Sequence, residues 1–197
     1  MYMFTGIITD IGIVSKASRT RLSVSARPAL VKALTCGASI AVDGACLTVV
    51  AKGKNSFSAD VMGETARRTN LARLKAGAGV NLELPATATS FLSGHIVRGH
   101  VDGTGTVERI QKKGADRILT IGAARVLRRY IVPKGSVTIN GISLTVIEVG
   151  RGNFSVGIIP HTWKATMLHN IAPGSVVNIE VDVLAKYVEK LIKKRNV

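Results

Sequence analysis

Residues 38–52 read ASIAVDGACLTVVAK, and residues 135–149 read GSVTINGISLTVIEV. Each stretch alternates apolar and polar residues, breaks at Asp43-Gly44 or Asn140-Gly141, and alternates again. Alternation is the period of a half-buried strand, and Asp-Gly or Asn-Gly is the favoured centre of a two-residue hairpin turn. Both stretches therefore predict β-hairpins, and the second reads as a copy of the first.

The likeness runs outward from the hairpins without a gap. Shifting the chain by 97 residues lays Ser39 on Ser136, Gly44 on Gly141, and Leu47, Thr48 and Val49 on Leu144, Thr145 and Val146. Phe57 and Ser58 meet Phe154 and Ser155, Thr65 meets Thr162, Leu71 meets Leu168, and Asn81 and Glu83 meet Asn178 and Glu180. About a third of the positions from 38 to 84 are identical to those from 135 to 181, far above chance for an ungapped alignment. At an offset of 93 the beginning joins in, with Gly6, Gly12 and Val14 on Gly99, Gly105 and Val107. The chain is two copies of a unit of roughly 90 residues, followed by a tail; a period this long is a duplicated domain, not a solenoid.

Each copy reads as many short strands with glycine-bearing turns: an all-β class, best closed as a small antiparallel barrel. A short helix is expected at PALVKAL, with Pro28 in its first turn and Gly37 beyond its end, and AARVLRRYI stands there in copy two. TATSFLSG joins the copies. In the tail, Leu184, Tyr187, Val188, Leu191 and Ile192 follow helical spacing, with Asp182 or a near neighbour as cap. That apolar stripe either docks on its own barrel or packs against other copies of the chain. The expected division is 1–95, 96–184 and a helix over 185–197.

A 46% hydrophobic content suffices for a core and separates the chain from disordered or fibrous classes. No apolar run approaches the roughly 18 residues of a membrane span, and MYMFTGIITD lacks the pattern of a secretory signal. Two cysteines, Cys36 and Cys46, are too few for a disulfide framework, so a cytoplasmic location is expected. No motif with metal-ligand spacing occurs, and His95 and His100 fall on opposite faces of an extended segment, so no metal is expected. The net charge of +15 is spread along the chain, densest at Lys186, Lys190, Lys193, Lys194 and Arg195, while aromatics are only 4%. Few bases can be stacked by so few rings, so the charge reads as a solvated surface, with neither nucleic acid nor membrane as partner.

The copies share a small set of polar groups. Strand period places Cys46 and Thr48 on one face of copy one, and Ser143 and Thr145 on the same face of copy two. Such a pair is either satisfied by main chain near a strand end or faces a ligand; its recurrence favours a ligand pocket. DVMGET and GIIPHT each run off a strand into a loop ending in Thr, where free main-chain groups suit the edge of a flat heterocycle. Ile7 is equivalent to His100, and Gly37 to Lys134. The reading is one ligand held twice in unequal roles: Cys46 a nucleophile if its pKa is lowered, and His100 a proton carrier. Either residue is otherwise a plain packing or surface residue.

Six motifs in register, MFTGII, GACLTV, DVMGET, SGHIVRGHVDGTG, NGISLTV and IPHT, make the chain resemble the riboflavin synthase family over essentially its whole length. The resemblance implies two six-stranded antiparallel Greek-key barrels and a C-terminal helix that assembles a homotrimer. It implies a transferase of riboflavin biosynthesis that dismutates two molecules of 6,7-dimethyl-8-ribityllumazine into riboflavin and 5-amino-6-ribitylaminouracil, without cofactor. The reacting pair would form between barrels of neighbouring subunits, and lumazine synthase is a candidate partner.

Carried over by motif, the catalytic candidates are Cys46, His100, Ser143, Ser39 and Asp182. The N-terminal binding set is Phe4, Gly6, Ile7, Ile8, Leu47, Thr48, Asp60, Val61, Met62, Gly63, Glu64 and Thr65. The C-terminal set is Gly99, Val101, Lys134, Leu144, Thr145, Ile158, Ile159, Pro160, His161, Thr162 and Trp163, with His100 and Ser143. Ser93 departs from the family's usual GGH, Trp163 and Met167 from its usual Leu and Thr, and Met1 and Tyr2 precede its usual start, so that translation from Met3 is an alternative. A lumazine- or flavin-binding antenna protein is the main rival; such proteins lose polar residues in one barrel, whereas Cys46, His100, Ser143 and Thr145 are all present.

Overall fold

The structure is a computed structural model and describes residues 3–194. Met1, Tyr2, Arg195 and the end of the 185–197 segment lie outside the described residues. The strands of the first copy are β1 (Asp10–Ala17), β2 (Arg21–Ser25), β3 (Ser39–Val42), β4 (Ala45–Lys52), β5 (Ser56–Asp60) and β6 (Gly79–Glu83). They close into an antiparallel barrel in the order β1-β2-β5-β4-β3-β6. The second copy supplies β7 (Gly103–Lys113), β8 (Asp116–Ala123), β9 (Ser136–Ile139), β10 (Ile142–Val149), β11 (Asn153–Ile158) and β12 (Val176–Val181), closed in the equivalent order. The two quoted hairpins are β3–β4 and β9–β10. Asp43 and Asn140 both adopt φ of 46°, each followed by a glycine at positive φ, as the hairpin turn requires.

Alternation explains why the strands close. Ile40, Val42, Val49, Val80 and Leu82 fill one barrel; Leu119, Ile121, Val137, Ile139 and Val177 fill the other, all with essentially no exposed surface. Each such side chain contributes about 1.5–3 kcal/mol of hydrophobic stabilisation. The expected helix appears as α1 (Pro28–Ala33), and its counterpart α3 (Arg125–Arg128) is shorter. Between them in the chain, α2 (Gly63–Arg68) follows β5; α4 (Pro160–Ala165) follows β11 in the same way.

Equivalent residues of the two copies meet, so an approximate twofold axis relates the barrels. Phe4 and Val97 pair in an antiparallel bridge, with N–H···O distances of 2.7 and 3.1 Å. The tips of the two hairpins touch, such that a Cβ on Gly44 would lie 2.6 Å from the Gly141 nitrogen. Asn81 Nδ2 donates to the Asn140 carbonyl at 2.9 Å, and Asn178 Nδ2 donates to the Asp43 carbonyl at 2.8 Å.

The tail forms α5 (Val183–Lys194), capped by Asp182, whose Oδ1 accepts from the Leu184 amide. Its polar side is tied to the second barrel: Glu189 accepts from the Tyr130 hydroxyl at 2.6 Å and pairs with Arg129, and Lys186 pairs with Asp102 at 2.6 Å. Leu184, Tyr187, Val188, Leu191 and Ile192 stay 55–64% exposed. The helix therefore docks on its own barrel through charged residues and leaves its apolar stripe uncovered. Among the described residues no helix is long and apolar enough to cross a membrane.

Candidate functional site

Along β4, Ala45, Leu47 and Val49 point into the core, while Cys46 is half-buried and Thr48 exposed. β10 repeats the pattern, with Leu144 inward, Ser143 half-buried and Thr145 exposed. The side chains of Leu47, Leu144, Val61 and Ile158 are core residues, so at those positions only main chain is available to a ligand.

The segments that border these strands are exchanged between the copies. The Ser143 amide donates to the Gly6 carbonyl at 2.8 Å, and the Cys46 amide donates to the Gly99 carbonyl at 2.9 Å. Ile8 packs on the core of the second barrel and Val101 on that of the first. Gly6 and Gly99 have φ of +77° and +73°, and a Cβ on either would come within 2.7 or 2.6 Å of the Ser143 or Cys46 Cβ. Only glycine lets the strap lie this close. The main chain of Gly6 therefore meets Ser143, and that of Gly99 meets Cys46, each across the two copies. Equivalence in the repeat identified the straps but not the barrel each one crosses to.

Around Cys46 the structure thus gathers Thr48, Ser39 and the Gly99 main chain, which His100 follows in the sequence. Ser39 lies opposite Thr48 across β3–β4, its side chain bonds the thiol, and Phe4, fully buried, packs with Ala41 and Val97 against Cys46. Burial pushes the Cys46 thiol above its ordinary pKa; the Ser39 bond opposes this and the Glu180 charge adds to it. The lowered pKa that a nucleophilic Cys46 requires is not provided, and a protonated thiol is what the site holds. His100 is exposed, and its pKa lies below the ordinary value through partial burial, then Arg98 and Lys186, against Asp102. Its imidazole is neutral at pH 7 and able to accept a proton.

The second site holds a residue that sequence reasoning set aside. His95, 9% exposed, places Nδ1 2.7 Å from Ser143 Oγ and Nε2 3.2 Å from Thr138 Oγ1. With Nδ1 accepting from the Ser143 hydroxyl, Nε2 carries the proton and donates to Thr138. Burial holds the His95 pKa down, and the Asp182 charge opposes it. A hydroxyl bonded to an imidazole whose other nitrogen is held by Thr138 is the core of an activated nucleophile. Nothing periodic links positions 95 and 143, and the equivalent of His95 in copy one is Tyr2, so comparing the copies gave no signal for the pair.

The loops after β5 and β11 supply the rest. Asp60 pairs with Arg21 at 2.8 Å, and Glu64 with Arg67 and Arg68 at 2.6 Å each. These carboxylates are already matched by guanidinium groups. Met62 and Ile159, at equivalent positions ahead of α2 and α4, are 75% and 57% exposed. Pro160 opens α4, His161 is exposed, and Thr162 accepts at its carbonyl from Thr166 Oγ1 at 2.7 Å. The Arg117 guanidinium lies 4.3 Å above the Trp163 ring. Lys134 stands at φ +65°, a left-handed conformation held by glycine at the equivalent Gly37. Among the described residues no His, Cys, Asp and Glu cluster is arranged to hold a metal ion.

The profile of the family described as "Lumazine binding domain" matches residues 5–85 and again 98–182. The riboflavin synthase of Mycobacterium tuberculosis is 44% identical over 200 residues, covering 97% of this chain and 98% of that one. That of Actinobacillus pleuropneumoniae is 42% identical over 197 residues, covering 98% and 91%. Among solved structures, LumP complexed with 6,7-dimethyl-8-(1'-D-ribityl) lumazine superposes with a TM-score of 0.83 at 25% identity, covering 91% of this chain and 99% of that one. LumP complexed with riboflavin gives 0.83 at 26% identity, with the same coverage.

Proposed function

The chain belongs to the riboflavin synthases, a family built from two lumazine binding domains, and on that premise we propose how its residues divide the work. Two molecules of 6,7-dimethyl-8-ribityllumazine exchange a four-carbon unit to give riboflavin and 5-amino-6-ribitylaminouracil. Two substrate molecules contain all the atoms of both products, so the exchange balances without a co-reactant.

The observation that carries the reading is the pair of equivalent but unequally furnished sites. Each has a small hydrogen-bonding group beside a Thr hydroxyl, Cys46 with Thr48 and Ser143 with Thr145; His95 bonds Ser143, and His100 follows the Gly99 that meets Cys46. Ser143, giving its proton to His95, adds to a ring carbon of one lumazine and is released when His95 returns that proton. His100 takes a proton from the 7-methyl group of the second lumazine, whose ring delocalises the resulting anion. Cys46 and Ser39 hold that ring as donors, the main chain of the two loops holds the pyrimidine edges, and Lys134 holds ribityl hydroxyls. Much of the acceleration comes from fixing two large rings face to face.

We further propose a homotrimer, in which α5 stripes meet and the first barrel of one subunit faces the second barrel of its neighbour. Support comes from the uncovered stripe and from an adjoining groove of ≈ 570 Å³ bordered by Met3, Ala86, Ile96, Val183, Leu184 and Tyr187. The division into 1–95, 96–184 and 185–197, a cytoplasmic location and lumazine synthase as a candidate partner complete the reading. Incubation of the purified chain with the lumazine, followed by chromatography, tests it. Riboflavin is the expected product; tight binding without riboflavin would instead make the chain an antenna-type flavin carrier.

A further inference from the structure

Glu83 and Glu180 occupy equivalent positions at the ends of β6 and β12, and each is 4% exposed. Glu83 Oε1 accepts from the Thr5 amide at 2.6 Å and from Thr5 Oγ1 at 2.8 Å, while Oε2 accepts from the Gly6 amide at 3.1 Å. Glu180 Oε1 accepts from the Arg98 amide at 2.8 Å. Each carboxylate thus fastens the strap of its own copy, one residue before the glycine whose carbonyl receives an amide from the opposite barrel. Glu83 holds Thr5 and Gly6, and Gly6 meets Ser143; Glu180 holds Arg98, and Gly99 meets Cys46.

The two fastenings are unequal. Arg98 stands where copy one has Thr5 and brings no hydroxyl, and the Gly99 amide acts on the Glu180 carboxyl only weakly, leaving the buried Oε2 without a well-formed hydrogen bond among the described residues. A buried carboxylate with a free oxygen is costly when charged. Burial, with Asp102 adding to it and the Arg98 amide, Lys186 and the Gly99 amide opposing it, pushes Glu180 up to about 7. Glu83 is raised by burial too, against its full set of donors.

We infer that Glu83 and Glu180 are positioning residues wired crosswise: Glu83, in the first barrel, sets the strap bordering Ser143, and Glu180, in the second barrel, sets the strap bordering Cys46. This rests on the proposed function for its importance to turnover, but the geometry stands without it. A competing path runs within one barrel, because Glu180 pairs with Thr138 across β12–β9 and Thr138 with Ser143 across β9–β10. Backbone pairing of that kind survives removal of a carboxylate, whereas a strap held by the carboxylate does not.

The test is amide hydrogen exchange by NMR in the full chain, which reads the Cys46 and Ser143 amides directly and needs no turnover. Glu180→Gln is expected to speed exchange at Cys46 on the order of tenfold and leave Ser143 within about twofold; Glu83→Gln is expected to do the reverse. Double-mutant cycles on kcat follow: Glu180→Gln is expected to be non-additive with Cys46→Ser and additive with Ser143→Ala, and Glu83→Gln the opposite. Should a Gln variant fail to fold, Glu180→Asp and Glu83→Asp, which keep the charge and shorten the reach, carry the same exchange measurement. Coupling of Glu180 to Ser143, or equal effects of either variant on both amides, overturns the crosswise wiring. Crossed exchange effects in a chain that makes no riboflavin would leave the wiring standing and remove the function.

Discussion

The Gly99 carbonyl accepts a 2.9 Å hydrogen bond from the Cys46 amide although the two residues belong to different copies of the repeat. The same exchange, in mirror fashion, joins Gly6 to Ser143. Neither barrel completes its own site, so a single barrel cut from this chain would lack the strap that borders its reactive position.

That relationship ties the Cys46 main chain to Gly99, which His100 follows directly in the sequence. His100→Gln is expected to lower kcat by about a hundredfold, the scale of lost general base catalysis, while lumazine affinity changes little. Cys46→Ser keeps a donor and is expected to slow turnover by less. Steady-state kinetics with fluorescence titration of the lumazine check both; losses confined to affinity would make the two residues packing groups.

Ser143 and His95 are expected to act as a unit. Ser143→Ala and His95→Gln should each reduce kcat by about a hundredfold, and the double variant by scarcely more. Multiplying effects would show that the 2.7 Å contact is structural only.

Lys134 holds a left-handed conformation that costs a non-glycine residue about 1 kcal/mol. Lys134→Gly should therefore raise the Tm by roughly 2–4 °C while weakening lumazine binding at the second site. Calorimetry and titration read the two effects separately; unchanged affinity would remove Lys134 from the site.

Stability should fall as pH rises from about 4 to 7. Asp43, at the contact between the barrels, is pushed up to about 7 by burial, against bonds from the Asn81 amide and Asn70. The folded chain keeps a proton that the unfolded chain releases, so stability is full below the unfolded pKa and is lost as pH climbs through the folded one. Glu180, also raised to about 7, acts in the same sense. Asp43→Asn, which copies the equivalent Asn140, should reduce the drop in Tm between pH 5 and pH 8, and adding Glu180→Gln should reduce it further. An undiminished drop would place the titration elsewhere.

The proposed trimer places the apolar stripe of α5 at its contacts. Leu191→Glu, at a position 64% exposed, should lower the sedimenting mass without lowering helix content, as should truncation before Leu184. An unchanged mass would separate α5 from oligomerisation.

Much of this was legible in the residues. The alternation broken at Asp43-Gly44 and Asn140-Gly141 gave both hairpins and the duplication, and Pro28 marked the start of α1. The tail stripe was read correctly as helical, but spacing could not say that Glu189 and Lys186, not Leu191, would face the barrel. The straps were invisible as crossings for a physical reason: each has two near-identical places to dock, and self-comparison reports which residues are equivalent, not which are adjacent. His95 and Ser143 meet within copy two, 48 residues apart, and no periodicity connects them. Glu83 and Glu180 aligned with each other yet looked like ordinary strand-end carboxylates, because the donors they hold are main-chain amides, which a sequence does not display.

The most direct test of the account is the stoichiometry of conversion by the purified chain supplied with 6,7-dimethyl-8-ribityllumazine alone. The account predicts one riboflavin and one 5-amino-6-ribitylaminouracil for every two lumazines consumed, with turnover abolished in a His100→Gln, Ser143→Ala double variant that still binds substrate. Lumazine bound at both sites of the intact chain and recovered unchanged would contradict it.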